Sequence, residues 1–150
     1  FQLNGALTVG TLAGANVEIS ELVGDENIFI FGYTAEQASR LLADKSYNPS
    51  LFYSRNPELK RAVDQLSQGF CDGQAYPDIA SSLLISGGGM PDPYLLLGDF
   101  ESYCLAQETA GRLYADNRAW NRACLINIAQ AGRFAADRSI RDYTRDIWKV

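Results

Sequence analysis

A strand-sized run that ends in glycine and turns at once into a helix restricts this chain more than any other feature. Leu7-Thr-Val9 is a short run with two β-branched residues, bounded by Gly5 and Gly10, the pattern of a strand buried on both faces of a parallel sheet. Thr11 and Gly14 then open a helix that carries Val17, Ile19 and Leu22. Such a junction brings free backbone N–H groups and the positive end of a helix dipole to the carboxyl edge of a sheet, where anions are commonly held. Gly5 and Gly10-Thr11 have the glycine spacing of a phosphate loop, but no lysine follows the second glycine and no G-x-G-x-x-G occurs. Spacing alone leaves two readings open: an anion cradle, or glycines that let the helix pack close to the strand.

The pattern then repeats. Gly24-Asp-Glu-Asn27 reads as a polar turn, and Ile28-Phe-Ile-Phe31, ending at Gly32, as a second buried strand. Thr34 with Gln37 forms a capping-box pattern ahead of Ala35, Ala38, Leu41 and Leu42 at helical spacing. A β-α-β-α alternation predicts a parallel sheet with right-handed crossovers. Helices dominate the remainder. Asn56 and Pro57 start an amphipathic helix through Leu59, Val63 and Leu66 that ends near Gly69, and Pro77-Asp78 starts another with Ile79, Leu83 and Leu84. Gly87-Gly-Gly89 with Pro91 and Pro93 reads as an irregular loop, and Tyr94-Leu-Leu-Leu97 as a last short strand. Asp99 is placed to cap a long helix, and Asp116 to cap the next, whose Trp120, Ala123, Cys124, Ile128 and Ala131 form a buried stripe. A final helix from about Ser139 sets Ile140, Tyr143 and Ile147 on one side, while Asp142 and Arg145 can pair across one turn. Tyr143 and Trp148, large aromatics near a chain end, are expected to dock against something.

Composition narrows the function classes. With 47% hydrophobic and 21% charged residues in 150, the chain suits one globular domain or a large piece of one. A formal net charge of −5 argues against nucleic-acid binding, which needs clustered Lys and Arg, and favours a small-molecule or carbohydrate partner. Cys71, Cys104 and Cys124 are odd in number and lack C-x-x-C spacing, so neither a disulfide framework nor a zinc site is expected, and a cytoplasmic setting is the default. No apolar run reaches the roughly twenty residues of a membrane helix, so no membrane partner is expected. The chain has no histidine, which removes the commonest general base and metal ligand. Its start at Phe1-Gln2, without methionine and just before a sheet-like segment, suggests a piece of something larger.

Asn4-Gly-Ala-Leu-Thr-Val-Gly-Thr-Leu-Ala-Gly-Ala-Asn-Val-Glu18 resembles the stretch of the α-glucan phosphorylases (glycogen, starch and maltodextrin phosphorylase) that directly follows the lysine carrying pyridoxal phosphate. Ile28-Phe-Ile-Phe-Gly32 continues the resemblance, and Asp137-Arg-Ser-Ile-Arg-Asp-Tyr143 with Ile147-Trp148 is similar to the family's closing helix. Within the family, Asp92-Pro-Tyr-Leu, Asp99-Phe and Ser139-Ile-Arg-Asp-Tyr143 most resemble the bacterial maltodextrin phosphorylases. Two departures are local. Ala13 stands where the family usually has aspartate, and Ala135-Ala136 where it usually has two serines.

The resemblance implies a glycosyltransferase-B-like fold of two Rossmann-type domains, with residues 1–150 as the C-terminal portion of the second, cofactor-binding domain. It implies a retaining transferase that cleaves α-1,4-glucan with inorganic phosphate and releases glucose 1-phosphate, with pyridoxal 5′-phosphate acting through its phosphate group. The cofactor lysine would immediately precede Phe1, so no catalytic residue is expected in this span. Asn4, Gly5 and the Leu7–Val9 strand would support the backbone that presents it. The complete protein would be a cytoplasmic homodimer joined through other regions, and this piece alone would be inert. Two rivals are a non-enzymatic helical α/β interaction module, suggested by the lack of a catalytic constellation and by the helical second half, and a nucleotide-sugar glycosyltransferase of similar architecture, for which no nucleotide-binding pattern is found.

Overall fold

The computed structural model describes residues 1–85 and 89–149, so Gly87 and Gly88 of the expected loop lie outside the described residues. The chain forms two compact units, Phe1–Phe31 with Leu105–Val150, and Gly32–Cys104.

In the first unit two short strands, β1 (Val9–Thr11) and β2 (Phe29–Phe31), pair in parallel with Val9 opposite Phe29 and Thr11 opposite Phe31. Helix α1 (Ala15–Val23) connects them, as the alternation predicts. The first strand, however, is Val9–Thr11 rather than Leu7–Val9. Gly5 turns the backbone into the left-handed region and Ala6 N–H bonds back to Phe1, so the chain straightens too late for Leu7 to join the ladder. Thr8 contributes its carbonyl to Phe29 N–H at 2.9 Å. Both strands are also less covered than expected. Ile28 and Phe29 are buried, but all three β1 residues are half-buried.

The same unit contains α7 (Asn117–Gln130), capped as expected by Asp116, which accepts from Arg118 and Ala119 N–H. Its buried positions are Ala123 and Asn127, whereas Ile128 of the expected stripe is partly exposed. The closing helix α8 spans Ala136–Tyr143, starting three residues before Ser139. Ala135 at its N-cap offers no side-chain acceptor, a direct consequence of alanine at that position. From Thr144 to Trp148 the helix widens to π geometry, with Thr144 Oγ1 donating to Ile140 O at 2.8 Å. Tyr143 and Trp148 stack on each other with centroids 6.1 Å apart, and Asp142 pairs with Arg145 at 3.0 Å.

The second unit is helical. Thr34 and Gln37 form the capping box of α2 (Ala35–Ala43). Asn48 caps the short α3 (Pro49–Arg55), and Asn56 caps α4 (Pro57–Gln68), each with proline at the first turn. With α5 (Pro77–Leu84) these build the core, in which Leu59, Val63, Ala80 and Leu97 meet Phe52, Leu66 and Phe100. Two expectations fail together. Tyr94–Leu97 is not a strand, because Tyr94 lies in a turn and α6 (Leu96–Ala115) has begun by Leu96; nor does Asp99 cap that helix, since it sits inside the first turn. Leu95 and Leu97 are buried with Leu96 exposed, so burial alternates as in a strand although the backbone is helical. Asp92 serves the helix start instead, in left-handed backbone at φ 47°, its carboxylate accepting Leu96 N–H at 2.9 Å and Leu97 N–H at 2.8 Å.

Candidate functional site

The segment singled out by the sequence begins as one 3-10 turn, Gln2–Asn4, closed by Gly5. Asn4 N–H bonds to Phe1 O at 2.8 Å and Gly5 N–H to Gln2 O at 2.9 Å. Gly5 has φ 77°, a conformation that costs most other residues about 1–3 kcal/mol. A side chain there would also meet α7, since an added Cβ would lie 3.4 Å from Cys124 Cβ and 3.5 Å from Ile128 Cδ1. Gly5 is therefore fixed both by its dihedral and by its neighbour. Asn4, by contrast, is exposed within the turn.

Behind the turn lies an amide network that sequence reasoning missed. Gln2 Nε2 donates to Asn127 Oδ1 at 3.3 Å, while Asn127 Nδ2 donates to Asn27 O at 2.8 Å and Ala123 O at 3.0 Å. Asn27 Nδ2 in turn donates to Val23 O at 2.7 Å. Asn127 is fully buried and Asn27 nearly so. The available signal was an asparagine inside an otherwise apolar helical face, where a polar group persists only if its hydrogen bonds are made. Asn27 and Ala123 also line a surface cleft of about 540 Å³ in which Glu26 and Asp116 oppose Arg118 and Arg122.

At the far end of β1 the close-packing reading of the glycines has support. Asn16 Nδ2 donates to Thr11 O at 2.9 Å across Gly10, where an added Cβ would lie 2.5 Å from that nitrogen. Gly14 caps α1 without a side chain, and Asn16 and Val17 N–H bond back to Ala13 O and Gly14 O. The first 39 residues contain no Lys or Arg, so this stretch supplies no ionic partner for an anion. Among the described residues no cluster of His, Cys, Asp or Glu could hold a metal ion.

A second buried polar cluster belongs to the other unit. Tyr47 OH donates a very short hydrogen bond to Asp92 Oδ2 and accepts from Gly98 N–H at 3.0 Å. Burial, reinforced by that hydrogen bond to Asp92, pushes the Tyr47 phenol well above its ordinary range, so it remains a donor. Asp99 Oδ1 accepts Tyr33 N–H at 2.9 Å, and Ser102 Oγ accepts Gly32 N–H at 3.0 Å. Burial raises the Asp99 carboxyl, partly opposed by the Tyr33 N–H; burial and the Asp99 charge raise the Tyr33 phenol. Every contact in this cluster serves the start of α6 or the loop before α2.

The description of the carbohydrate phosphorylase family matches residues 1–150. The chain belongs to the carbohydrate phosphorylases. It is 42% identical, over its whole length, to the brain form of glycogen phosphorylase from Mus musculus and to glycogen phosphorylase from Synechocystis, and 41% identical to glycogen phosphorylase from Chlamydia pneumoniae. It spans only 17% of the mouse and Synechocystis phosphorylases and 18% of the Chlamydia one. The family resemblance carried by Asn4–Glu18 and Asp137–Trp148 thus holds across the chain, in a helix-rich α/β arrangement.

Proposed function

We propose that residues 1–150 are the C-terminal portion of the cofactor-binding, Rossmann-like second domain of a glycosyltransferase-B-type α-glucan phosphorylase. The complete protein is a retaining glycosyltransferase. It uses inorganic phosphate to release glucose 1-phosphate from the end of an α-1,4-glucan. The observation that carries this reading is the phosphorylase match along residues 1–150, beginning with the stretch that in the family follows the cofactor lysine. The helical second unit is equally compatible with an interaction module, but that rival does not account for the match along residues 1–150, and the nucleotide-sugar transferase has no observation in its favour among the described residues.

Pyridoxal 5′-phosphate would be carried by a lysine immediately before Phe1. When bound, it supplies a phosphate group that exchanges a proton with the substrate phosphate. The residues present fit the neighbourhood of such an anchor rather than a direct holder of the group. The turn after it is uncharged and closed by an immovable glycine, while the cationic partners of two phosphates must come from other parts of the protein, since Arg40 is the first cation here. Gly5, with Asn4 in the same turn, supports the backbone that presents the anchor. Such support matters because about 1 Å of misplacement can cost a hundredfold in rate. The complete protein is proposed to act in the cytoplasm as a homodimer through regions outside this span.

The test is made on the full-length protein. Borohydride reduction followed by peptide mass analysis should place a pyridoxal adduct on the residue preceding Phe1, and incubation with maltodextrin and phosphate should yield glucose 1-phosphate. A full-length protein with neither adduct nor phosphorolysis would refute the reading.

A further inference from the structure

The turn after the proposed anchor is not held by its own residues alone. Gln2 is bonded to Asn127, and Gly5 rests against Cys124 and Ile128. Positions 124, 127 and 128 share one face of α7 by helical spacing, so a single helix face backs the whole turn. We infer that Asn127 is a positioning residue for the cofactor-bearing lysine, an inference that rests on the phosphorylase reading above.

The chemistry of the side chain explains why an amide stands there. Asn127 is fully buried, and its amide both accepts from Gln2 and donates to Asn27 O and Ala123 O. A leucine, branched at the same carbon but bulkier and apolar, would leave the Asn27 carbonyl unpaired, and an aspartate would set a buried charge against two carbonyls. Asn27 lies two residues before β2, and Gln2 lies in the turn leading to β1. One amide therefore ties both approaches to a parallel strand pair to the same point on α7. Gln2 is only two residues from the anchor, so freedom gained at Gln2 passes almost directly to the anchor's backbone.

The experiment uses full-length protein carrying Asn127→Leu, Gln2→Met, both together, or the control Leu125→Ala, whose side chain is exposed on the same helix. Pyridoxal phosphate release is followed by loss of the imine absorbance in the presence of a competing amine, alongside the thermal midpoint and the reduced adduct. Asn127→Leu is expected to speed release about tenfold, and Gln2→Met several-fold, with the double variant no faster than Asn127→Leu and Leu125→Ala unchanged. Folded Asn127→Leu protein that releases cofactor at the wild-type rate overturns the proposal, because a purely structural role would move only the thermal midpoint. Full additivity in the double variant overturns it as well. If Asn127→Leu does not fold, Gln2→Met decides, and a wild-type release rate there is fatal. A wild-type protein lacking the adduct is a different failure, that of the phosphorylase reading itself.

Discussion

The two units solve one problem with different chemistry. Around the N-terminal turn, buried backbone groups are satisfied by carboxamides, Asn127 and Asn27, neither of which changes charge with pH. Around the start of α6 the same task falls to carboxylates and phenols: Asp92 with Tyr47, and Asp99 at the Tyr33 N–H. A buried carboxylate makes stronger hydrogen bonds than an amide but carries a desolvation cost that an amide avoids. The turn that carries the candidate site is thus fixed independently of pH, whereas the second unit relies in part on a carboxyl, Asp99, whose contribution varies with pH.

The largest expected effect comes from breaking the carboxylate arrangement. Asp92→Ala removes the acceptor of two helix N–H groups and of Tyr47 OH, and should cost about 3 kcal/mol or more, read as loss of hydrogen-exchange protection at Leu96 and Leu97 in the full-length protein. Asp92→Asn, which retains one acceptor and tolerates left-handed backbone, should cost distinctly less. Equal losses for both variants would show that packing, not acceptance, holds α6.

Next in size is the amide-backed turn. Gly5→Val forces a branched side chain into φ 77° against Cys124, at about 2 kcal/mol, and should lower pyridoxal occupancy of the complete protein. Full cofactor content in a folded Gly5→Val variant would remove the turn from the site.

The pH dependence sharpens the contrast further. Unfolded Asp99 loses its proton near the ordinary value of 3.8, whereas the folded carboxyl, raised by burial, loses it later. The stability this group contributes is therefore complete below 3.8 and is lost as pH climbs through the folded value. Stability of the second unit to denaturant should fall across that interval and flatten in Asp99→Asn, while protection of the Asn4 and Gly5 amides stays level. The smallest effect is at the surface. Arg145→Ala removes contacts to Asp142 and Asp146 that are all solvent-exposed, and the thermal midpoint should not move measurably.

Local signals were legible where a single residue type has one job. Asn56-Pro57, Thr34 with Gln37, and Asp116 marked their helix starts correctly because the cap acts within its own turn. The strand ends were less legible. Val9–Thr11 was displaced by two residues since the limit was set by the left-handed turn at Gly5 and by pairing with a strand twenty residues away. Leu95–Leu97 misled because three apolar residues suit either backbone, and the deciding acceptor, Asp92, lies four residues earlier in a rare conformation. At the candidate site the position of Gly5 was readable from its neighbours in sequence, but Asn127 was not, as its partner Gln2 is 125 residues distant.

Gly10 and Asn16 form a pair in which the freedom of one position is set by the other. Any side chain at position 10 would evict the Asn16 amide from the Thr11 carbonyl, and loss of the amide would free position 10 to grow. A side chain at position 10 should accordingly be rare among descendants of this sequence that keep Asn16.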